Sequence, residues 1–279
     1  MTPRPASRIV GWILLLGCLI PAGEGFAAPA GPSAGSPERR LLDLVNAERT
    51  KRGLRRLAWD EDLARLARLH ADDMRSHRKV THESSADGAE FSARLARSGY
   101  RASAGAENVA MDRNVERAHE GLMNSSGHRR NILDEKLTAI GIGLAPDPSE
   151  DSVYVVQDFA TALAVLTDEE AARRVRNAMN GARPPGKFLD EDTRLSSSFT
   201  PILRGLIERD SVKVEAGVLP GPGWVVAYTI GDPSELPLEA RRALKNGRGR
   251  EFGLAVLFGQ SRSQPFGAYW VLMGLLEGP

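Results

Sequence analysis

Apolar positions recur at helical spacing through four stretches of the first half of the chain, then change to strand-like runs. Ser36 is placed to cap a helix that has Pro37 at its first position, a residue already preset for helical φ. Leu41, Leu42, Val45 and Glu48 continue that helix, and Gly53 stops it. A second helix starts at Asp60, with the stripe Leu63, Leu66, Ala67, His70 and Met74; His70 therefore lies on its buried face. A third, short helix carries Phe91 and Leu95 and ends at Ser98-Gly99, and a fourth holds Val115, Ala118 and Leu122. The runs AIGIGLA (139–145) and SVYVVQDFA (152–160), joined by the turn-forming PDPSED, read as a β-hairpin.

From residue 161 onward the pattern echoes itself. FLDEDTRL (188–195) resembles LAWDEDLARL (57–66), with 130 residues between Asp60 and Asp190. The closing EFGLAVLFG and YWVLMGLL resemble the earlier hairpin, with 112 residues between Gly141 and Gly253. Two readings stay open: a second, degenerate copy of the first domain, or an unrelated α/β domain with two chance matches. Either way the second half has no imidazole chemistry, because the last of the five histidines is His128.

With 279 residues, 42% hydrophobic and 26% charged, the chain can form one large or two small globular domains. A net charge of +1 gives no sign of a nucleic-acid partner. The N-terminus reads as an export signal: Arg4 and Arg8 precede the short apolar run IVGWILLLGCLIPAG, and small residues follow. The expected organisation is a signal peptide over 1–30, a small-residue linker over 31–37, a first domain over 38–160 and a second over 161–279. This gives a secreted or periplasmic protein with no membrane span in its mature form. An alternative takes LLGC as a lipobox, with Cys18 as the lipid-anchored first residue. Cys18 is the only cysteine, so ordinary signal cleavage leaves a mature protein without disulfides.

Several apparent motifs fail on their own chemistry. GARPPGKF has phosphate-loop spacing but ends in Phe188, and Pro184 and Pro185 remove amide donors such a loop needs. HESSA and HEGLM begin like zinc-protease helices but lack the second histidine. What remains is spread over three segments: THESS around His82, GAENVA around Glu107, and MNSSGHRRNIL around His128. Ser125 or Ser126 can cap a short helix presenting His128, and Ile132 and Leu133 can anchor it. Asn131 and Asn108 are suited to satisfying nearby backbone, while His77 and His119 are expected at the surface.

Taken in order, LVNAER, the following GL and WD, then THE, AENVA, NSSGHRRNIL, IGIG and YVVQDF resemble the bacterial branch of the CAP superfamily (SCP domains). That superfamily includes cysteine-rich secretory, antigen 5 and pathogenesis-related proteins. The resemblance covers residues 38–160. It implies an α+β fold: a CAP-type α-β-α sandwich with an open cleft, followed here by the second α/β domain. In the cleft it implies His82, Glu107 and His128, with Ser125 and Asn108 beside them. The family's second glutamate has no counterpart, since Ser125 stands in its place and Leu122 replaces the tryptophan before it.

Some family members hold zinc or another divalent ion in this cleft, which makes His82 and His128 the candidate ligands. The alternative is a metal-free polar cleft in which Glu107 accepts hydrogen bonds from both imidazoles and raises their pKa. The leading functional expectation is a non-enzymatic envelope protein that binds a lipid, glycan or peptide. Two others stand beside it. One is a metal-assisted hydrolase of peptide or cell-wall bonds, with Glu107 as general base. The other is a structural or adhesion module.

Overall fold

The computed structural model describes residues 31–187, 189–246 and 249–277. The expected signal segment, Cys18 and Phe188 lie outside them. The first half runs α1 (Pro37–Thr50), β1 (Ala58–Trp59), α2 (Glu61–His77), α3 (Phe91–Arg97), β2 (Ala102–Asp112), α4 (Val115–Asn124), α5 (Ser126–Leu133), β3 (Ala139–Asp147) and β4 (Ser152–Ala162). Ser36 caps α1 through Arg39 N, and Asp60 caps α2 through Leu63 N. The sheet order is β1-β3-β4-β2, with β1 parallel to β3 and the other pairs antiparallel.

Side-chain alternation along β4 divides the core. Val153, Val155 and Phe159 join Leu41, Val45, Leu122 and Ile132, from α1, α4 and α5. Tyr154 and Val156 meet Ala67, Ala71 and Met74 of α2, and Ala160 meets Leu63 of α2 and Phe91 and Leu95 of α3. The result is an α-β-α sandwich. Two glycines allow α2 to approach the sheet: a Cβ at Gly141 would lie 2.1 Å from Ala64 N, and one at Gly143 2.1 Å from the Ala67 carbonyl carbon. Arg49 is fully buried and links α1 to the stretch after α5, donating to the carbonyls of Arg55, Ile132, Asp134 and Leu137.

The second half has α6 (Asp168–Ala182), β5 (Asp190–Glu191), α7 (Thr193–Glu208), β6 (Gly223–Ile230), α8 (Leu238–Lys245), β7 (Glu251–Gly259) and β8 (Ala268–Leu276). Its sheet order is β5-β7-β8-β6, with β5 parallel to β7, which repeats the order and strand senses of the first sheet. Asp192 caps α7 as Asp60 caps α2. The matching aspartate is thus 132 residues away (192 − 60), where the sequence echo pointed to Asp190, in β5. Leu195 packs over Gly253 as Leu63 packs over Gly141, in line with the 112-residue spacing of the hairpins.

Candidate functional site

The site is built where β2 forms the free edge of the first sheet. Glu107 and Asn108 are adjacent on β2 and therefore point to opposite faces. Glu107 turns toward α2 and α3 and is 7% exposed. His82, on the loop after α2, meets Glu107 Oε1 through Nδ1 at 2.9 Å, while its own side chain stays about half exposed (52%). The other carboxylate oxygen, Oε2, takes the Arg94 guanidinium from α3, and His70 Nε2 lies 4.0 Å from it. Arg94 also donates to the carbonyls of His82 and Ala89, so one side chain fixes both the loop and the carboxylate.

Behind Glu107 lies a second acid. Asp158 is its register partner on β4 and is 1% exposed. Burial, reinforced by the negative charge of Glu107, pushes the Asp158 carboxyl well above its ordinary range, and the two acids share a hydrogen bond. Burial beside Glu107 thus disfavours the charged form of Asp158.

On the opposite face, Asn108 donates to the His128 carbonyl (3.2 Å) and to Gln157 Oε1 (3.0 Å). Asn131 reaches from α5 to Asn108 Oδ1 (2.9 Å) and to the Glu107 carbonyl (3.3 Å). These bonds tie α5, and with it His128, to the edge strand. The two imidazoles have opposite tendencies. The hydrogen bond to Glu107 raises the pKa of His82. Burial lowers that of His128, and the neighbouring His82 charge lowers it further. The His82 charge thus acts on the His128 ring.

Four expectations need correction. Glu107 does not accept from both imidazoles: its second partner is Arg94, and the pKa of His128 falls instead of rising. Ser125 occupies the position before α5 but makes no capping bond through its side chain; the backbone and Asn131 hold the helix instead. His119 is buried (7% exposed) on α4, with Nδ1 unpartnered, whereas His77 is exposed. Residues 102–112, read only as a motif, form the longest-paired strand at the site. Arg94 and Asp158 are members of the site that residue typing overlooked.

A divalent ion can be tested against this arrangement. Among the described residues, no group of three or more His, Cys, Asp or Glu side chains is disposed to hold one. Glu107 gives one oxygen to His82 and the other to a permanently charged guanidinium, which repels a cation. The residues do not fit a three-ligand zinc centre.

The α-β-α sandwich is that of a CAP-type domain. Residues 42–159 match the model of the cysteine-rich secretory protein family (CAP), and this part of the chain belongs to that family. Curated relatives include the uncharacterized protein YkwD of Bacillus subtilis, 36% identical over 118 residues, which are 42% of this chain and 45% of that protein. The uncharacterized membrane protein YlbC of the same organism is 33% identical over 123 residues, 44% of this chain and 34% of that one. The match thus spans less than half the length of either relative. Among solved structures, an extracellular SCP-domain protein from Bacillus anthracis is 28% identical, with 47% of this chain and 45% of that chain covered and a TM-score of 0.41. An outer surface protein from Borrelia burgdorferi is 18% identical, with 48% and 98% covered and a TM-score of 0.43.

Proposed function

We propose that this chain is an exported envelope protein whose first domain binds a ligand in the His82–His128 cleft without transforming it. The observation that carries this reading is the engagement of Glu107: Arg94 and His82 occupy its two oxygens, and Asp158 backs it. A general base must reach the proton it takes, and here each oxygen is already held by a protein side chain. This carboxylate instead serves as an anchor that fixes His82. His82 then presents its Nε2, and His128 its ring, to whatever enters. One imidazole biased toward the charged form and one toward the neutral form suit a ligand with both an anionic or carbonyl acceptor and a hydroxyl, as lipid head groups, glycans and peptides have.

Export is supported by the basic and apolar N-terminal segment, and among the described residues no helix is long and apolar enough to cross a membrane. The second domain fits a degenerate copy of the first that has given up the cleft. Its register equivalents of Glu107, Asn108, Gln157 and Asp158 are Val225, Val226, Met273 and Gly274.

The test uses full-length mature protein labelled at histidine Cε1. Dihexanoyl phosphatidylglycerol, chitotriose and a tetrapeptide are each titrated while the imidazole signals of His82 and His128 are followed. Saturable shifts of both rings with one probe, and recovery of that probe intact, are expected. Hydrolysis of a probe by this protein that disappears in Glu107→Gln would overturn the non-enzymatic reading. Zinc calorimetry on wild type and His82→Ala/His128→Ala decides the metal question separately, since equal binding by both would remove these histidines as its site.

A further inference from the structure

The turn between β7 and β8 carries one aromatic side chain out of the second domain and into the first. Phe266 packs with Leu63, Phe91, Leu95 and Ala102, in the cluster between α2, α3 and the sheet. Its ring centroid is 6.0 Å from that of Phe91, and it occupies space that exists only because residue 105 is glycine. A Cβ at Gly105 would lie 2.7 Å from the Phe266 ring. Both contacts lead to the site. Gly105 is two residues before Glu107 on the same face of β2, and Phe91 is one helical turn before Arg94 on α3.

The turn is braced from its own side. The Asp210 carboxylate accepts from Ser261 Oγ (2.5 Å), Ser263 N (2.9 Å) and Ser263 Oγ (2.5 Å), and Gly267 N donates to the Gln264 carbonyl at 3.0 Å. Asp210 itself adopts a left-handed backbone (φ 50°) at the end of α7. Nearby, Arg101 crosses between the domains: it donates to the Leu166 carbonyl at 2.7 Å and lies 4.5 Å above the ring of Phe258. A side chain held this firmly acts as a fixed wedge, because neither of its supports can yield without losing several bonds.

We propose that Phe266 is a positioning residue for the cleft: it presses α3 against β2 and so keeps Arg94 on Glu107. The second domain, which has no cleft chemistry of its own, thereby acts as a strut for the first. Removing the wedge leaves a gap beside Gly105 into which Phe91 relaxes, and α3, only seven residues long, moves with it. This deepens the cleft reading above but needs no ligand for its test, so the two can fail independently.

The experiment reads the guanidinium protons of Arg94 by NMR in the full chain, assigned by their loss in Arg94→Gln. In wild type the Arg94 protons bonded to Glu107, His82 and Ala89 are expected to exchange slowly with water. Phe266→Ala is expected to speed that exchange at least about tenfold, and Phe266→Leu to restore most of the protection. Phe199→Leu, in the separate core beneath α7, lowers stability without reaching Arg94 and is expected to leave the exchange unchanged. Unchanged Arg94 exchange in folded Phe266→Ala would overturn the proposal, as would an equal acceleration in Phe199→Leu. If Phe266→Ala does not fold, Phe266→Val takes its place: it is expected to exchange faster than Phe266→Leu, and exchange equal to wild type would overturn the proposal.

Discussion

Replacing Asp158 by asparagine tests the centre of the site. The side chain is 1% exposed and faces Glu107 across the β2–β4 register, and burial and the Glu107 charge push its carboxyl well above the ordinary range. In the unfolded chain an aspartate ionises near its ordinary value of 3.8. Folding above that pH must therefore take up a proton. A folded-state pKa raised above the unfolded one gives stability that is complete below the unfolded pKa and is lost as pH climbs toward the folded one. For one proton the loss is about 1.4 kcal/mol per pH unit. Asparagine keeps the shape and offers an N–H to Glu107 in place of the acid O–H, but takes up no proton. As pH rises above the unfolded value, the stability of Asp158→Asn relative to wild type is therefore expected to rise, by up to about 1.4 kcal/mol per pH unit. Urea unfolding followed by circular dichroism at four pH values measures it, and the histidine contributions common to both proteins cancel. A difference that stays flat with pH, or that turns increasingly against the variant, would mean an ionised Asp158 and refute the raised carboxyl pKa.

Other consequences are simpler to check. Arg49→Met leaves four carbonyls without their shared guanidinium and should cost about 3 kcal/mol or more in urea titration; a loss below about 1 kcal/mol would show that the carbonyls find other donors. Gly143→Ala drives a methyl group into the backbone of α2 and should lose about 3 kcal/mol or more, visible as a collapsed yield of folded protein. Burial lowers the pKa of His119, so it contributes stability above its unfolded pKa that is lost as pH falls through the folded one. Melting temperatures at pH 7 and 5.5 should therefore drop less in His119→Leu than in wild type, and an identical drop would contradict the assignment.

The elements legible in the sequence are those whose apolar stripe is uninterrupted and whose ends carry caps. α1 and α2 have Ser36 and Asp60, and the β3–β4 hairpin has two long apolar runs around a polar turn. β2 escaped because ASAGAENVAMD alternates poorly: Gly105 interrupts it, and Glu107 and Asn108 put polar groups on both faces. A strand at the edge of a cleft serves two environments, and its pattern follows neither. Asp158 was visible in YVVQDF as an acid inside an apolar run, but a charge there reads as solvent-facing until the register sets it against Glu107. Arg94 gave less warning, being one of many arginines on short helices. His119 lies four residues after Val115 and three before Leu122, so the stripe of α4 already placed it inward. The echo between the halves was legible to within two residues at α7; its register needed the cap.

The second sheet also supplies an internal control for what the first requires. Both have the same strand order, and both bring a helix onto a glycine of the third strand. Yet the four positions that are Glu107, Asn108, Gln157 and Asp158 in one are Val225, Val226, Met273 and Gly274 in the other. In the second sheet Leu219 and Phe199 close over Gly274, and the space becomes ordinary core. The fold can therefore be built without the polar quartet. Keeping it leaves Gln157 Nε2 and Asp158 Oδ1 buried without partners, a cost of about 1–3 kcal/mol for each such group. Residues that the architecture does not need, and that weaken it, fit the ligand-binding cleft proposed above. On this argument, replacing the quartet with its apolar counterparts should give a more stable protein whose cleft no longer binds.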